Sequence, residues 1–74
     1  MMEIYTKDNC GYCVSAKNLM KLKGIEYTEY HIPNDISREE VMEKFPGIRT
    51  VPVIVKDGKL IGGFHELQQV LGGE

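Results

Sequence analysis

The amino-acid sequence predicts one α/β domain, a four-stranded mixed sheet with three helices in the order β-α-β-α-β-β-α. Three observations predict it. Short runs of β-branched and aromatic residues alternate with segments whose apolar positions recur at helical spacing. The first two runs bracket a helical segment, which makes a βαβ unit with parallel strands and a right-handed crossover. Near the end, Asp57-Gly58, the dipeptide preferred in two-residue hairpins, separates two short apolar runs. At 74 residues the chain has room for one domain, residues 1–74, and no second.

Met2-Glu3-Ile4-Tyr5-Thr6 alternates apolar and polar side chains and is rich in strand formers, so it is the first strand. From Tyr12 to Lys23, the positions of Ala16, Leu19, Met20 and Lys23 have helical spacing. Gly24 follows where a helix wants a left-handed terminating residue. Lysines 17, 21 and 23 suit the negative end of that helix's dipole. Ile25 to Ile32 reads as the second strand, and Pro33-Asn34-Asp35 as a turn. Ser37-Arg38-Glu39-Glu40 fits a capping box, in which serine and glutamate satisfy each other's free amides at a helix start. Val41, Met42 and Phe45 supply that helix's apolar face, and Pro46-Gly47 stops it. Val53 to Lys56 and Lys59 to Ile61 are the hairpin strands. Gly62-Gly63 breaks the last of them, and Phe64, Leu67, Val70 and Leu71 mark a closing amphipathic helix.

Composition excludes several function classes. With 42% apolar and 27% charged residues the chain is globular and not a disordered tail. Its longest apolar stretch, Val51 to Val55, falls far short of the roughly 20 residues of a membrane span, so no membrane role is expected. The opening Met1-Met2-Glu3 has no basic and apolar signal pattern, so no secretory signal is expected. A net charge of −2 argues against nucleic acid as a partner. The charge is uneven along the chain. In residues 1–24, Lys7, Lys17, Lys21 and Lys23 outweigh Glu3 and Asp8, and the next segment, to Gly47, is acidic. Solvated helix faces explain such a pattern, and a mildly positive end also favours an anionic ligand.

Cys10-Gly11-Tyr12-Cys13 carries the chemistry. Two thiols separated by two residues can close a disulfide when the second sits a helical turn above the first. The pair lies where the first strand hands over to the first helix, so Cys10 stands at the helix N-terminus. There free amides and the dipole stabilise a thiolate, and Lys7 adds a nearby positive charge. Cys10 is therefore the better nucleophile, and Cys13, one turn inside, suits the resolving role. A C-x-x-C beside a βαβ pattern is itself a redox signature. Inert buried thiols and half a zinc site are the alternatives. Zinc would need His31 and His65, whose wide separation lacks the close spacing of structural zinc sites. No metal is expected from these residues alone.

The chain resembles the glutaredoxins, dithiol proteins of the thioredoxin-like fold that use glutathione, and specifically their short phage or bacterial forms. The likeness runs over nearly the whole chain: Tyr5-Thr6-Lys7 before the cysteines, Cys10 to Cys13 with Tyr12, Thr50-Val51-Pro52, and Gly62-Gly63. The resemblance implies a cis Pro52 facing the disulfide and a Val51 backbone that pairs with bound glutathione in strand-like fashion. It implies that Lys7 and Arg49 serve the glycine carboxylate and that Tyr12 packs along the ligand. The backbone after Gly63, at Phe64 and His65, would hold the γ-glutamyl carboxylate. Thr50 completes the set.

Three positions depart from the family pattern. Gly11 replaces a proline, adding backbone freedom that should alter the reduction potential. His65-Glu66 stands where acidic or hydroxyl side chains are usual, and Glu66 is expected to receive the ligand's amine. Glu39 aligns with a glutamine or arginine position and would repel the glycine carboxylate; neighbouring Arg38 is an alternative cation to compensate, though its expected role is an exposed capping-box salt bridge. His31, Met20, Met42, Tyr5, Tyr27 and Tyr30 are assigned to core or sheet surface.

The function so implied is a glutathione-dependent thiol–disulfide oxidoreductase, a monomer in the cytoplasm that reduces protein disulfides and glutathione mixed disulfides. Ribonucleotide reductase is a candidate partner. One alternative keeps the chemistry and takes electrons from thioredoxin reductase. Another uses Cys10 with glutathione to hold a [2Fe–2S] cluster between two chains, because Gly11 removes the obstruction a proline would make.

Overall fold

The predicted element order is present in the computed structural model, which describes residues 1–72. The last two residues of the expected 1–74 domain lie outside the described residues. The elements are β1 (Met2–Lys7), α1 (Gly11–Leu22), β2 (Tyr27–Ile32), α2 (Arg38–Lys44), β3 (Val53–Lys56), β4 (Lys59–Gly62) and α3 (Phe64–Gly72). They form one four-stranded sheet in the order β2-β1-β3-β4. β1 runs parallel to β2 with Ile4 opposite Glu29, and antiparallel to β3 with Ile4 opposite Ile54. The hairpin from β3 to β4 turns at Asp57-Gly58, both at positive φ, the geometry of a type I′ turn.

β1 is central and covered on both faces, which sorts its side chains by parity. Met2 and Ile4 pack with Ala16 and Met20 of α1, Ile54 of β3, and Leu67 and Leu71 of α3. Tyr5 packs on the opposite face with Val41 of α2 and with Val53 and Val55 of β3. Thr6 therefore belongs to the α1 face and Lys7 to the α2 face, and that alternation later decides what each can reach.

Local sequence explains most element boundaries. α1 ends in a Schellman closure: the Gly24 amide donates to the Lys21 carbonyl at 3.1 Å and the Ile25 amide to the Met20 carbonyl at 2.9 Å. Gly24 has φ +70°, which that closure requires. Because Ile25 is consumed by the closure, β2 starts at Tyr27 and not at Ile25. Ser37 caps α2 with its hydroxyl oxygen accepting from the Glu40 amide at 3.1 Å, the serine half of the expected capping box, while the Glu40 carboxylate accepts from the Ser37 hydroxyl at 3.2 Å instead of from its amide. Two residues expected on apolar helix faces are exposed instead. In α2, Val41 and Phe45 take the inward face one turn apart, which leaves Met42 on the rim. In α3, Leu67 and Leu71 do the same, and Val70 turns outward.

Candidate active site at the start of the first helix

Cys10 is the N-cap of α1, with φ −115° and ψ 103°, and its sulfur accepts a hydrogen bond from the Cys13 amide at 3.1 Å. That is the job a serine or aspartate side chain does at other helix starts. The Cys10 sulfur is thus aimed at the positive end of the dipole, where a thiolate is favoured over a thiol. Cys10 and Cys13 form a disulfide with Cα atoms 5.3 Å apart, inside the range for an unforced bridge. Cys13 is 2% exposed whereas Cys10 is half-buried, so an incoming sulfur meets Cys10 first.

Val51-Pro52, joined by a cis peptide bond, lies against this pair, with the Cys10 sulfur 3.8 Å from the Val51 carbonyl oxygen. Val51 precedes β3, and its N–H and C=O have no backbone hydrogen-bond partner among the described residues. Two clefts meet at this segment. The first, of about 360 Å³, is lined by Lys7, Arg38, Arg49, Ile48, Thr50 and Val51 with apolar neighbours. The second, of about 610 Å³, is lined by Tyr12, Pro52, Gly63, Phe64, His65 and Glu66, and shares Ile48, Thr50 and Val51 with the first. Every residue expected to contact glutathione thus lines one cleft or both, with cations at one end and a helix N-terminus at the other.

Tyr12, 57% exposed, forms the lip of the second cleft and stacks on Phe64 with ring centroids 5.7 Å apart, while His65 tilts against it at 5.6 Å. The amides of Phe64 and His65 are among the unpaired N–H groups that every helix start leaves. Glu66 lines the second cleft and also has a local role: its Oε1 accepts from the Gly63 amide at 2.7 Å, capping α3 from within. Gly62, at φ +129°, must be glycine for that arrangement, because a Cβ there would meet Glu66 at 2.8 Å.

Arg38 differs from its expected role. Among the described residues it makes no ion pair, and it lines the cationic cleft with Lys7 and Arg49, whereas Glu39 does not line it. Ile48, which belongs to no motif, and Met42, expected on the apolar face of α2, also line this cleft. His31, assigned to core or surface, pairs with Asp8 through Nε2 at 3.0 Å. On the α1 face, Glu29 accepts from the Thr6 hydroxyl at 2.7 Å and from Lys17 Nζ at 3.0 Å. The Thr6 hydrogen bond, aided by Lys17 and opposed by partial burial, holds the Glu29 carboxyl below its usual range.

Residues 2–61 match the family model described as Glutaredoxin. The chain belongs to the glutaredoxin family. It is 42% identical to glutaredoxin 3 of Escherichia coli over 66 residues, covering 89% of this chain and 80% of that protein. It is 38% identical to a probable glutaredoxin of Synechocystis over 72 residues, covering 96% of this chain and 82% of that one. Among solved structures, glutaredoxin 1 from Francisella tularensis, complexed with cacodylate, superposes with a TM-score of 0.81 at 33% identity, covering 97% of this chain and 92% of that one. A buckwheat glutaredoxin–glutathione complex superposes at 0.82 with 26% identity, covering 97% and 69%. Glutaredoxins are thiol–disulfide oxidoreductases, and this one carries the paired cysteines at bridging distance that the reaction uses.

Proposed function

We propose that this glutaredoxin reduces protein disulfides and glutathione mixed disulfides with electrons from glutathione. The observation that carries the reading is the placement of Cys10 at a helix N-cap, 3.8 Å from the Val51 carbonyl oxygen, beside the segment where two clefts meet, one lined by cations and one by a helix N-terminus. Glutathione is a tripeptide with a carboxylate at each end. The Lys7, Arg38 and Arg49 cleft suits its glycine carboxylate, and the start of α3 suits its γ-glutamyl carboxylate. Between them its cysteine pairs with the Val51 backbone, which brings its sulfur to Cys10. Tyr12 and Phe64 wall the γ-glutamyl side, with His65 and Thr50 at its edges.

The Cys10 thiolate attacks one sulfur of the substrate disulfide and releases the other as a thiol, forming a mixed disulfide. Cys13 then attacks Cys10, releasing the reduced substrate and closing the Cys10–Cys13 bond. One glutathione opens that bond by attacking Cys10, and a second attacks the bound glutathione sulfur, leaving oxidised glutathione and the dithiol. Where the substrate is itself glutathionylated, Cys10 suffices. A dithiol that cycles this way belongs in a reducing compartment, so the reading has the chain act as a cytoplasmic monomer, with ribonucleotide reductase among its candidate protein substrates.

The test is reduction of a glutathione mixed disulfide coupled to glutathione reductase and NADPH. Turnover that disappears in Cys10→Ser supports the reading. No turnover with glutathione, restored by thioredoxin reductase, would overturn glutathione as the donor. Gly11 favours a second reading, because even a Cβ there would meet nothing within 4 Å, so the surface next to Cys10 in the chain is open at that point. In that reading Cys10 and glutathione from two chains ligate a [2Fe–2S] cluster. A brown product with visible absorbance after anaerobic purification supports it, and a colourless protein after reconstitution dismisses it.

A further inference from the structure

On the α1 face of the sheet, a separate cleft of about 390 Å³ is lined by both cysteines together with Thr6, Lys17, Glu29 and His31. The mechanism above uses the two cysteines and Lys7 of this cleft, but not Thr6, Lys17, Glu29 or His31. Thr6 is 1% exposed, and its hydroxyl and the Lys17 ammonium both donate to the same oxygen of Glu29, at 2.7 and 3.0 Å. Lys17 follows Cys13 by one helical turn, so the two side chains lie on one face of α1. Glu29 is opposite Ile4 in the parallel pair, directly under that face. A carboxylate is thus fixed by two donors in the cleft that the resolving cysteine also lines.

We propose that Glu29, held by Thr6 and Lys17, accepts the proton of Cys13 across this cleft when Cys13 resolves the mixed disulfide. The idea rests on the redox reading above and assigns the resolving half of it. Cys13 sulfur forms a bond to Cys10 sulfur, the bond from Cys10 to the substrate sulfur breaks, and the substrate leaves as a thiolate. The Cys13 proton passes to the Glu29 carboxylate and from there to the departing thiolate through water, so electrons and protons balance. Without an acceptor, a buried thiol must ionise unaided before it can attack.

The other charged groups around the cleft fit the role less well. They are Lys7 at the end of β1, Asp8 just after it, Cys10 at the cap of α1, Lys17 on α1, and His31 near Glu29 on β2. His31 Nε2 is engaged by Asp8, and the Asp8 side chain is 85% exposed, so that pair faces water. Thr6 and Lys17 hold the Glu29 carboxyl below its usual range, so it is ionised at neutral pH but is a weaker base than a free carboxylate.

The test mixes the reduced protein with dithiobisnitrobenzoate and follows thionitrobenzoate release. A first phase whose rate rises with reagent reports attack by Cys10. A second phase independent of reagent reports attack by Cys13 on the Cys10 adduct. In Glu29→Gln the second phase should slow about tenfold near pH 6–7 and recover as pH rises, less than the roughly hundredfold of a base whose pKa matches the working pH, because that of Glu29 is held low. The first phase should stay within about twofold, which also shows that the variant is folded, and Glu29→Asp should restore part of the loss. A second phase that is unchanged or faster, or two phases that slow together with no change in pH profile, would overturn the proposal. Absence of the first phase in the wild type would instead overturn the redox reading itself.

Discussion

Gly11→Pro should stabilise this protein, and the structure says why. The residue before a proline must be extended, and Cys10 already is, at φ −115° and ψ 103°. Gly11 is the first residue of α1, where proline's fixed φ is pre-set for the helix and its missing N–H removes an amide that has no helical partner anyway. A Cβ at Gly11 would meet nothing within 4 Å. The gain comes from narrowing the unfolded chain, about 0.4–1 kcal/mol for a compatible proline, and glycine as the starting residue puts it near the upper end. In a domain of this size about 1 kcal/mol raises Tm by about 4–8 °C. Thermal melts of the reduced wild type, Gly11→Ala and Gly11→Pro should rise in that order, with the alkylation rate of Cys10 changed less than about twofold. A Tm for Gly11→Pro below the wild type would refute the extended N-cap geometry at Cys10.

Arg38→Ala should raise the glutathione KM about three- to fivefold, the equivalent of about 0.7–1 kcal/mol for one exposed cation among three, and the effect should shrink with added salt. Glu39→Gln should change KM less than twofold, and a larger effect at Glu39 than at Arg38 would reverse their assignment. Leu67→Ala, at a fully buried position, should cost about 2–5 kcal/mol. Against the roughly 4–11 kcal/mol available to 74 residues, this moves the urea midpoint far down, and an unmoved midpoint would contradict the α3 packing. The depressed pKa of Glu29 means that its network stabilises the fold above the ordinary value of 4.5 and that this contribution is lost as pH falls below it. Because the Glu29 side chain is 32% exposed, the difference between wild type and Glu29→Gln should be under about 1 kcal/mol at pH 7 and shrink as pH falls below 4.5. A difference that grows in acid would contradict that sign.

The parts of the fold that rest on contiguous residues were legible in the sequence. Ser37 with Glu40 announces a helix start, Asp57-Gly58 a hairpin, Gly24 a helix end, and Cys10 to Cys13 a dithiol on a first helical turn. Each works through hydrogen bonds to neighbours within a few residues. What was not legible depends on which face a side chain takes when elements pack. Met42 and Val70 carry apolar side chains on helices whose inward positions were already filled by Val41 with Phe45 and by Leu67 with Leu71. The cleft role of Arg38 required knowing that Lys7 lies on the α2 face of β1, which follows from parity only once β1 is known to be central. The Glu66 bond to the Gly63 amide is the glutamate half of a capping box, and it was harder to read than the Ser37 one because glycine at the cap offers no side chain to complete the signature. The cis form of Pro52 came from family likeness and not from the residues alone.

The most direct test of the central claim is to incubate the reduced Cys13→Ser protein with oxidised glutathione and locate the adduct by intact mass and peptide mapping. Cys10 as nucleophile beside a built glutathione cleft predicts one glutathione per chain, on Cys10, released by free glutathione. No adduct on Cys13→Ser, together with a stable adduct on Cys13 in Cys10→Ser, would contradict the account.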